Sequence, residues 1–475
     1  MSYDVVIGLE VHAQLLTATK IFASSSAKIN ESPNAHIDPV TLGMPGSLPV
    51  LNKRVVEYAI KAGLATNCEI ESRSVFARKH YFYPDLPKGY QISQYELPIC
   101  TNGSLSIKVN DTEKKIRLNR IHLEEDAGKS IHSSNEPYSL VDLNRAGVPL
   151  IEMVTEPDLS SAEEAIAFLK QLRQIVCHLG ICDGNMDQGS FRCDANISLK
   201  PSGQKELGTK VEIKNINSFR FVERAIDYEI SRQKILLEQD EEIVQETRLW
   251  DEQKSVTRSM RSKEEAEDYR YFPDPDLLPL IVDEDWIDKI KSSLPELPYE
   301  ILNRFQNMYS LDLDTATLLS EEKYTADYFD QAVATHNNAK SIASWICNEL
   351  FGKLNKENVE FIDCPVSPEH LAKLVKLVDE NLISGKIAKT VFEEMFSSGE
   401  DPEKIVEEQG LKQITDTSFL KDLVKSVLDS NPEQVQEYKA GKQKVFGFFV
   451  GKVMKETEGK ANPAEVNGLL KELLK

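Results

Sequence analysis

The sequence predicts an α+β protein in which a mixed first part is followed by an all-helical second part. Up to about residue 290, segments that alternate apolar and polar residues, typical of strands, occur between segments with helical apolar spacing. Pro295 and Pro298 mark a linker, and beyond them the chain keeps helical spacing with few glycines. The chain has 475 residues, which at about 150 residues per domain predicts roughly three domains.

The composition is that of a folded globular protein, with 41% hydrophobic and 28% charged residues. No run of about 18 apolar residues occurs and the N-terminus has no basic region before an apolar stretch, so we predict no membrane span, no signal peptide and a cytoplasmic location. The seven cysteines are scattered, which argues against a disulfide framework and gives no zinc pattern. The net charge of -21 opposes simple nucleic-acid binding, although the last 37 residues carry eight lysines against four glutamates.

The first predicted strand covers residues 4–15, where apolar and polar residues alternate. Period two places Glu10 and His12 on one face, beside Gly8. A carboxylate and an imidazole in that arrangement can share a metal ion or a proton. The alternative is the polar outer face of an edge strand, and this segment alone does not separate the two.

Capping residues and apolar spacing predict the helices of the first part. Asn52 caps a helix to about residue 64, Ser160 or Ser161 caps one that ends near Gly180, and a third covers about 219–237. Residues 138–158 predict two short strands around a glycine turn. In the second part, helical spacing occurs near residues 299–310, 317–334, 339–354, 368–382 and 402–409, followed by short helices over 417–475.

Residues 78–94 combine aromatic rings with cations in a segment that two prolines and a glycine keep from forming a long helix. Tyr81, Tyr83 and Tyr90 alternate there with Lys79 and Lys88. Aromatic platforms interleaved with cations suit a nucleotide, a tRNA end or a phosphate. A packed surface loop is the alternative.

Residues 121–129 contain three consecutive carboxylates, Glu124, Glu125 and Asp126. Like charges repel, so a fold that gathers them in a cleft needs a compensating cation. A solvated acidic turn is the simpler interpretation of such a run. Other polar segments lie in the same part of the chain, and they favour a catalytic site over a solvated turn.

Two further predicted strands have faces of mixed charge. Alternation over residues 191–198 places Arg192 and Asp194 on one face, and alternation over 210–217 does the same for Glu212 and Lys214. Such faces are poor packing surfaces. They predict a hydrated cleft.

These segments together resemble the family of B subunits of the glutamine-dependent aspartyl/glutamyl-tRNA amidotransferases. The resemblance covers essentially the whole chain and rests on Ile7-Gly-Leu-Glu-Val-His12, residues 81–94, residues 122–129, Asp142-Leu-Asn-Arg-Ala-Gly-Val-Pro149, Glu212-Ile-Lys-Asn215 and Asp268-Tyr-Arg-Tyr-Phe-Pro273. It implies a cradle-shaped α+β catalytic domain over 1–292, a helical domain over 293–410 and a tRNA-binding tail domain over 411–475.

The resemblance also implies a three-subunit enzyme. An amidase-family A subunit hydrolyses glutamine to ammonia, a small C subunit holds A and B together, and the B subunit acts on misacylated Glu-tRNA(Gln) or Asp-tRNA(Asn). The B subunit phosphorylates the side-chain carboxylate with ATP and then amidates it. The sequence leaves open which of the two tRNAs is used.

The residues are consistent with this chemistry. A carboxylate resists ammonia because it is anionic and has no good leaving group, so phosphorylation is needed, with Mg2+ and cationic residues to neutralise the phosphates. The chain has no Gly-x-Cys-x-Gly nucleophile, no N-terminal cysteine and no Gly-Gly-Ser-Ser-Gly-Gly run, so ammonia must come from elsewhere.

The site residues are assigned as hypotheses. The predicted metal ligands are Glu10, His12, Glu124, Glu125, Asp194 and Glu212. The predicted catalytic residues are Glu10, His12, Glu125, Lys79 and Lys88, and the residues predicted to bind the nucleotide or its charge are Lys214, Arg192 and Tyr83.

One departure from the family pattern concerns zinc. Many members bind a structural zinc through two cysteine pairs, and the corresponding positions here are Ala23, Ser25, Asp38 and Thr41. Without thiolates we expect no zinc. Two alternatives to the amidotransferase function remain: a non-catalytic tRNA-binding scaffold, and a Mg2+-dependent phosphotransferase acting on a small carboxylic acid. The basic tail weighs against the second.

Overall fold

The computed structural model describes residues 2–29, 31–110, 112–132, 137–262, 268–413, 417–457 and 459–474. It divides into two units, Met1–Leu297 and Pro298–Lys475. In the described residues, the first unit contains one hydrophobic core, and the second contains two, over Ile301 to Val406 and over Leu420 to Leu474. The predicted α+β class is therefore confirmed, while the three-domain division remains a prediction.

The first unit is built on a nine-stranded mixed sheet with strand order β14-β13-β12-β11-β1-β10-β7-β6-β2. Smaller sheets pair β15-β4-β5, β16-β3 and β8-β9. The strands are β1 (Tyr3–Gln14), β2 (Glu69–Ile70), β3 (Arg73–Ser74), β4 (Phe76–His80), β5 (Tyr90–Gln94), β6 (Cys100–Val109), β7 (Thr112–Glu125), β8 (Lys129–His132), β9 (Ser139–Asp142), β10 (Pro149–Thr155), β11 (Phe191–Pro201), β12 (Val211–Lys214), β13 (Glu246–Asp251), β14 (Val256–Ser262), β15 (Phe272–Pro273) and β16 (Leu280–Ile281).

The two faces of this sheet differ because its central strands alternate. In β1 the side chains of Ile7, Leu9 and Val11 are at most 1% exposed, and the residues between them point the other way. β1 pairs antiparallel with β10 on one side and β11 on the other, whereas β12 and β13 run parallel. The apolar face packs against helices, which leaves the polar face for the site.

Two helices of the first unit begin where side-chain caps were predicted, a third was predicted from its apolar spacing alone, and the fourth was not predicted. They are α1 (Lys53–Ala65), α2 (Ala162–His178), α3 (Phe219–Glu238) and α4 (Glu284–Lys291). Asn52, Ser161 and Ser218 each accept a hydrogen bond from a backbone N–H of the first turn. The choice between Ser160 and Ser161 is settled in favour of Ser161.

The irregular segment between β1 and α1 is held by side-chain hydrogen bonds. Lys20 is completely buried and donates to the carbonyl oxygen of His36 at 2.6 Å. Asp38 accepts hydrogen bonds from Ser25 Oγ at 2.5 Å, Thr41 Oγ1 at 2.6 Å and the Thr41 backbone N–H at 2.9 Å. Ser25, Asp38 and Thr41, three of the four positions at which the resemblance predicted cysteines, thus form one hydrogen-bonded cluster.

The second unit is helical throughout its described residues. Its α-helices are α5 (Pro298–Tyr309), α6 (Leu313–Ser320), α7 (Lys323–Thr335), α8 (Ala339–Trp345), α9 (Phe351–Glu357), α10 (Pro368–Asp379), α11 (Gly385–Ser398), α12 (Pro402–Glu408), α13 (Thr417–Asp429), α14 (Pro432–Lys439), α15 (Phe446–Glu456) and α16 (Pro463–Leu473). A π-helical turn, Ile346–Leu350, joins α8 to α9. The helix predicted over 317–334 is two helices, and α11 was not predicted.

Across the residues that the structure describes, no helix is both long and apolar enough to cross a membrane.

Candidate functional site

Among the residues that the structure describes, the polar face of the nine-stranded sheet carries two compact groups of possible metal ligands. The first, called here the His12 group, consists of His12 on β1, Glu124 on β7 and Glu152 on β10. The second, the Glu10 group, consists of Glu10 on β1, Asp194 on β11 and Glu212 on β12. Within each group, one ligand atom per residue lies within 4.8 Å of the others.

Strand register explains why residues so far apart in sequence meet. Glu152 lies opposite His12 on one side and opposite His122 on the other. Glu10 lies opposite Asp194 in the β1–β11 ladder. Because paired residues in antiparallel strands project to the same side, each pairing adds one polar side chain to the same face.

The His12 group is a largely buried arrangement of imidazoles and carboxylates. His12 Nε2 lies 3.2 Å from Glu152 Oε2 and 3.5 Å from Glu124 Oε1. A second imidazole, His122, is 3% exposed and its Nε2 lies 3.3 Å from Glu152 Oε2. Glu152 therefore receives two imidazoles, one from each neighbouring strand.

Opposite charges decide the protonation of this group. Burial favours the neutral imidazole of His122, but Glu152 and Glu124 outweigh burial and raise its pKa to about 9. The pKa of His12 is raised for the same reason, again against burial. Burial likewise favours the neutral form of Glu152, and the two histidines overcome it and lower the Glu152 pKa.

The Glu10 group is an all-oxygen cluster that contains an ammonium. Lys214 Nζ lies 2.7 Å from Asp194 Oδ2 and 2.9 Å from Glu212 Oε1. Glu10 accepts a hydrogen bond from Asn196 Nδ2 at 3.0 Å. Burial raises the pKa of Glu10, and the nearby charges of Glu152 and Glu212 raise it further.

The three consecutive carboxylates are buried, so the solvated acidic turn is wrong. Glu124, Glu125 and Asp126 are 4%, 3% and 4% exposed. Alternation turns Glu125 away from Glu124 and Asp126, and each of the three has its own cationic partner. The partners are His12 for Glu124, Lys88 for Glu125, and Arg192, at 3.1 Å, for Asp126.

A cleft of about 240 Å3 adjoins the Glu10 group. It is lined by Lys79, Tyr81, Tyr83, Lys214, Thr247, Met260 and Tyr269. Thr247 donates to Glu212 Oε2 at 2.9 Å, which joins the cleft to the Glu10 group. Pockets for drug-sized ligands span about 300–1,000 Å3, so this volume suits a phosphate or carboxylate end rather than a whole nucleotide.

Lys79 differs from Lys88 and Lys214, the other lysines predicted in the site, in the groups that its ammonium contacts. Its Nζ lies 4.7 Å from the centre of the Tyr269 ring and 5.8 Å from that of Tyr81. Ring faces attract a cation without neutralising it. Lys88 and Lys214, in contrast, are paired with carboxylates.

The single predicted metal cluster must be corrected to two groups. Glu125 belongs to neither of them: its carboxylate pairs with Lys88 and accepts the backbone N–H of Ile92 at 2.9 Å. Its neighbour Glu124 faces His12 instead, because adjacent strand residues project oppositely. Glu10 and His12 share a face, as predicted, but each lies in a different group.

The predicted phosphate contacts also differ in placement. Lys79, Lys214 and Tyr83 line the same cleft, and Tyr83 is half exposed. Arg192 is instead turned towards Asp126, and its buried Nε has no hydrogen-bond partner among the described residues. The roles assigned to these residues remain predictions.

Glu152 and His122 were not predicted as site residues. Both signals were present in the sequence: Glu152 is the one ionisable residue of Pro-Leu-Ile-Glu-Met-Val-Thr, and His122 is two residues from Glu124. A charge placed alone in an apolar strand needs a buried partner of opposite charge. That requirement could have identified Glu152 as the lone charge and His122 as a candidate partner.

The chain matches two protein-family models. Residues 5–288 match the GatB/GatE catalytic domain, and residues 327–474 match the GatB domain. The chain belongs to the GatB family.

Relatives of this GatB-family chain cover it from end to end. The B subunit of the aspartyl/glutamyl-tRNA(Asn/Gln) amidotransferase of Syntrophotalea carbinolica is 57% identical over 472 residues, which are 99% of this chain and 98% of the relative. The B subunit of the same enzyme from Thermodesulfovibrio yellowstonii is 55% identical over 475 residues, 100% of both chains. The one from Persephonella marina is 56% identical over 476 residues, 100% of both. These matches confirm the resemblance that the motifs predicted.

The GatB catalytic-domain match includes both groups and the cleft, which allows a test of whether they suit Mg2+. The Glu10 group fits: its donors are all hard carboxylate oxygens, and the Lys214 ammonium already stands in for a cation there. The His12 group adds an imidazole, which transition ions favour, so its donor set suits Mg2+ or Mn2+ with less selectivity.

Proposed function

We propose that this chain is the B subunit of a glutamine-dependent amidotransferase that converts Glu-tRNA(Gln), Asp-tRNA(Asn) or both to the amidated forms with ATP. In this proposal an amidase-family A subunit supplies ammonia, a small C subunit completes a heterotrimer, and a reaction on tRNA implies a cytoplasmic location. The name that the relatives share and the catalytic-domain match support the proposal.

The observation that carries the proposal is the convergence of two ligand groups beside a cationic cleft. A scaffold that only binds tRNA has no need of carboxylates gathered within 4.8 Å of one another on the polar face of a sheet, where burial and mutual repulsion are costly. Each group is instead arranged to accept a cation. The arrangement favours an enzyme over the scaffold alternative.

The proposed reaction needs two displacements. A carboxylate oxygen of the aminoacyl group attacks the γ-phosphorus of ATP and ADP leaves; ammonia nitrogen then attacks the acyl carbon and phosphate leaves. Mg2+, held by the Glu10 group and the His12 group, would neutralise phosphate charge when bound. No zinc is part of the proposal.

The chain's own residues do the positioning. Lys79 and Lys214 both line the cleft, where their ammonium groups would hold phosphate oxygens. Tyr81, Tyr83 and Tyr269 wall the cleft and limit the access of water, which would hydrolyse an acyl phosphate. The buried Lys88–Glu125 pair is where we propose that ammonia arrives.

The test is reconstitution with the A and C subunits and separate assays on each misacylated tRNA. We expect an amidated aminoacyl-tRNA and ADP in equal amounts, dependent on ATP and Mg2+. Ammonium chloride should replace glutamine when the A subunit is inactive, which isolates the reaction of the B chain. Binding of both tRNAs without ATP-dependent product from either would leave the scaffold as the function.

A further inference from the structure

The Glu10 group already holds one positive charge of its own, the ammonium of Lys214. Two of the three possible metal ligands, Asp194 and Glu212, are its partners at 2.7 and 2.9 Å. The third, Glu10, is not within ion-pair distance of Lys214. Lys214 therefore already neutralises two of the carboxylates that a divalent ion would need as ligands.

The two cations cannot be accommodated together without cost. A divalent ion binds carboxylate oxygens at about 2.0–2.6 Å, so an ion shared by Asp194 and Glu212 would lie within a few ångströms of the ammonium. Like charges at that separation repel strongly beside carboxylates that are only 18% and 23% exposed. The divalent ion has the larger charge and gains the third carboxylate, so it should prevail.

The Lys214 side chain has space into which it can move. Lys214 is about one third exposed and lines the cleft of about 240 Å3 together with Lys79. An ammonium released from the carboxylates would stay on the same side of the sheet and face the cleft. It would then be free to meet an anion there, beside the ring-held ammonium of Lys79.

We propose that Lys214 is an exchangeable counter-ion: a divalent cation entering the Glu10 group displaces it from Asp194 and Glu212 into the cleft, where it binds a phosphate. This inference rests on the proposed function, because it assumes that the Glu10 group takes a divalent ion. It adds an order of binding to the site. The divalent ion binds first, and the released Lys214 then gives the phosphates their second cationic contact.

The direct test is chemical labelling of lysine amines in the full-length chain, with and without Mg2+, read by mass spectrometry. We expect acylation of Lys214 to rise several-fold on addition of Mg2+, because a lysine freed from its two carboxylate partners is more accessible and loses its proton more readily to give the neutral amine that reacts. Lys114 is the matched control: it pairs with Glu164 at 2.7 Å and its side chain is equally exposed, at 33% against 34%. Its labelling should not change.

Glu10→Gln separates this site from every other effect of Mg2+. The substitution weakens one metal ligand and leaves both partners of Lys214 intact, so the Mg2+-induced labelling of Lys214 should disappear. Labelling that persists in Glu10→Gln would overturn the proposal.

A second measurement uses Mn2+ affinity by electron paramagnetic resonance, independent of activity. Lys214→Met should bind Mn2+ about tenfold more tightly than the wild type, because its competitor is gone. Lys210→Met removes an exposed charge just before β12 and should alter affinity by less than about twofold. Lys214→Arg keeps the charge and the fold, and should not bind Mn2+ more tightly than wild type.

The outcomes separate the two proposals. If the wild-type chain binds no Mn2+, the metal role in the proposed function fails and the exchange fails with it. If Mn2+ binds but Lys214 stays protected, or if Lys214→Met gains no affinity, the exchange alone is overturned and the proposed function stands.

Discussion

Glu152 shows how one side chain can organise a site. Its strand is otherwise apolar or uncharged, and its carboxylate lies between two imidazoles, 3.2 Å from His12 and 3.3 Å from His122. Replacing this largely buried anion with a neutral amide leaves both imidazoles without their main counter-charge. The effect of such a change should therefore extend to the whole His12 group.

We predict that Glu152→Gln lowers amidation by about 100-fold or more, since it removes a possible metal ligand and the anion that orients two histidines. Mn2+ stoichiometry should fall by one site. Glu156→Gln is the control, because Glu156 lies beyond the end of the strand and is bonded to Asn119 at 2.8 Å. Full amidation by an assembled Glu152→Gln complex would contradict the prediction.

The raised pKa of His122 predicts a pH-dependent stability of β7. In the unfolded chain the imidazole titrates near 6.5, and in the folded chain near 9, so the charged ring stabilises the fold fully below pH 6.5. This contribution is lost as the pH rises through 9. At about 1.36 kcal/mol per pKa unit it amounts to about 3 kcal/mol.

Hydrogen exchange of peptides from Thr112–Glu125, measured with a chelator and corrected for intrinsic rates, should show the opening free energy falling between about pH 6 and pH 9.5. His122→Gln should flatten that dependence. An opening free energy that is constant over this range in the wild type would mean that the imidazole is not charged in the fold.

Tyr269 is predicted to position Lys79. Tyr269→Leu removes the nearer of two rings that hold the ammonium, so the KM for ATP in amidation should rise about tenfold while kcat changes less. Tyr269→Phe keeps the ring face and should restore near wild-type values. Tyr95→Leu, which removes a ring stacked on Tyr271 at 4.3 Å, is the control. An unchanged KM in Tyr269→Leu would exclude this role.

At the scale of residues, alternation predicted more of the site than charge runs did. It correctly placed Glu10 with His12 on one face and gave faces to Asp194 and Glu212. It also implies that Glu124 and Glu125 diverge, which the prediction of one cluster overlooked. Which groups meet across strands depends on register, and a single sequence does not reveal register.

Among the elements, those with strong local signals were predicted best. The helices that begin after Asn52 and Ser161 were predicted from their caps, and β1 from its alternation. The long β6–β7 hairpin was not predicted, since its charged outer residues resemble a solvated segment. The π-helical turn Ile346–Leu350 also escaped prediction, because it interrupts continuous helical spacing without a glycine or proline.

The segment between β1 and α1 gives a prediction about one carboxylate. Asp38→Ala removes the acceptor for Ser25 and Thr41, so local opening of residues 17–52 should become easier by about 2 kcal/mol. Hydrogen exchange or limited proteolysis measures this. Ser25→Ala loses one bond and should have a smaller effect.

The metal content of the same samples should also be measured. We expect no stoichiometric zinc in the wild-type chain, since the positions at which the resemblance predicted cysteines offer hydroxyls and one carboxylate. Equal protection in Asp38→Ala and wild type would show that other contacts, such as that of Lys20 with His36, hold the segment.

On the scale of the whole molecule, the last hydrophobic core that the described residues form runs from Leu420 to Leu474, with partly buried residues from the same stretch packed against it. The preceding core ends at Val406, with Leu411 packed against it. Removing the last core should therefore leave the others folded.

We predict that deletion of residues 417–475 weakens tRNA binding while leaving glutaminase activity of the assembled complex unchanged. Lysines of this stretch should supply part of the phosphate contact. Changing Lys439, Lys444 and Lys455 to Gln should accordingly reduce the salt dependence of binding without unfolding the core. An unchanged tRNA affinity after the deletion would show that the basic tail has no part in binding.

The sequence also predicted the broad division into a mixed part and a helical part, because prolines and a change in apolar periodicity coincide near residue 295. It could not predict that a strand from residues 149–155 lies between β1 and β7, since strand order is set by long-range packing. That order is what brings Glu152 between two histidines.

One face of β1 is apolar and the other carries site residues, so the register that buries the core is also the register that places the site residues correctly. A shift of this strand by one residue would drive Glu10 and His12 among aliphatic side chains and expose Ile7, Leu9 and Val11 to water. Such a misaligned protein would be recognised by chaperones and proteases as damaged. A cell should therefore rarely accumulate copies that look native yet are inert.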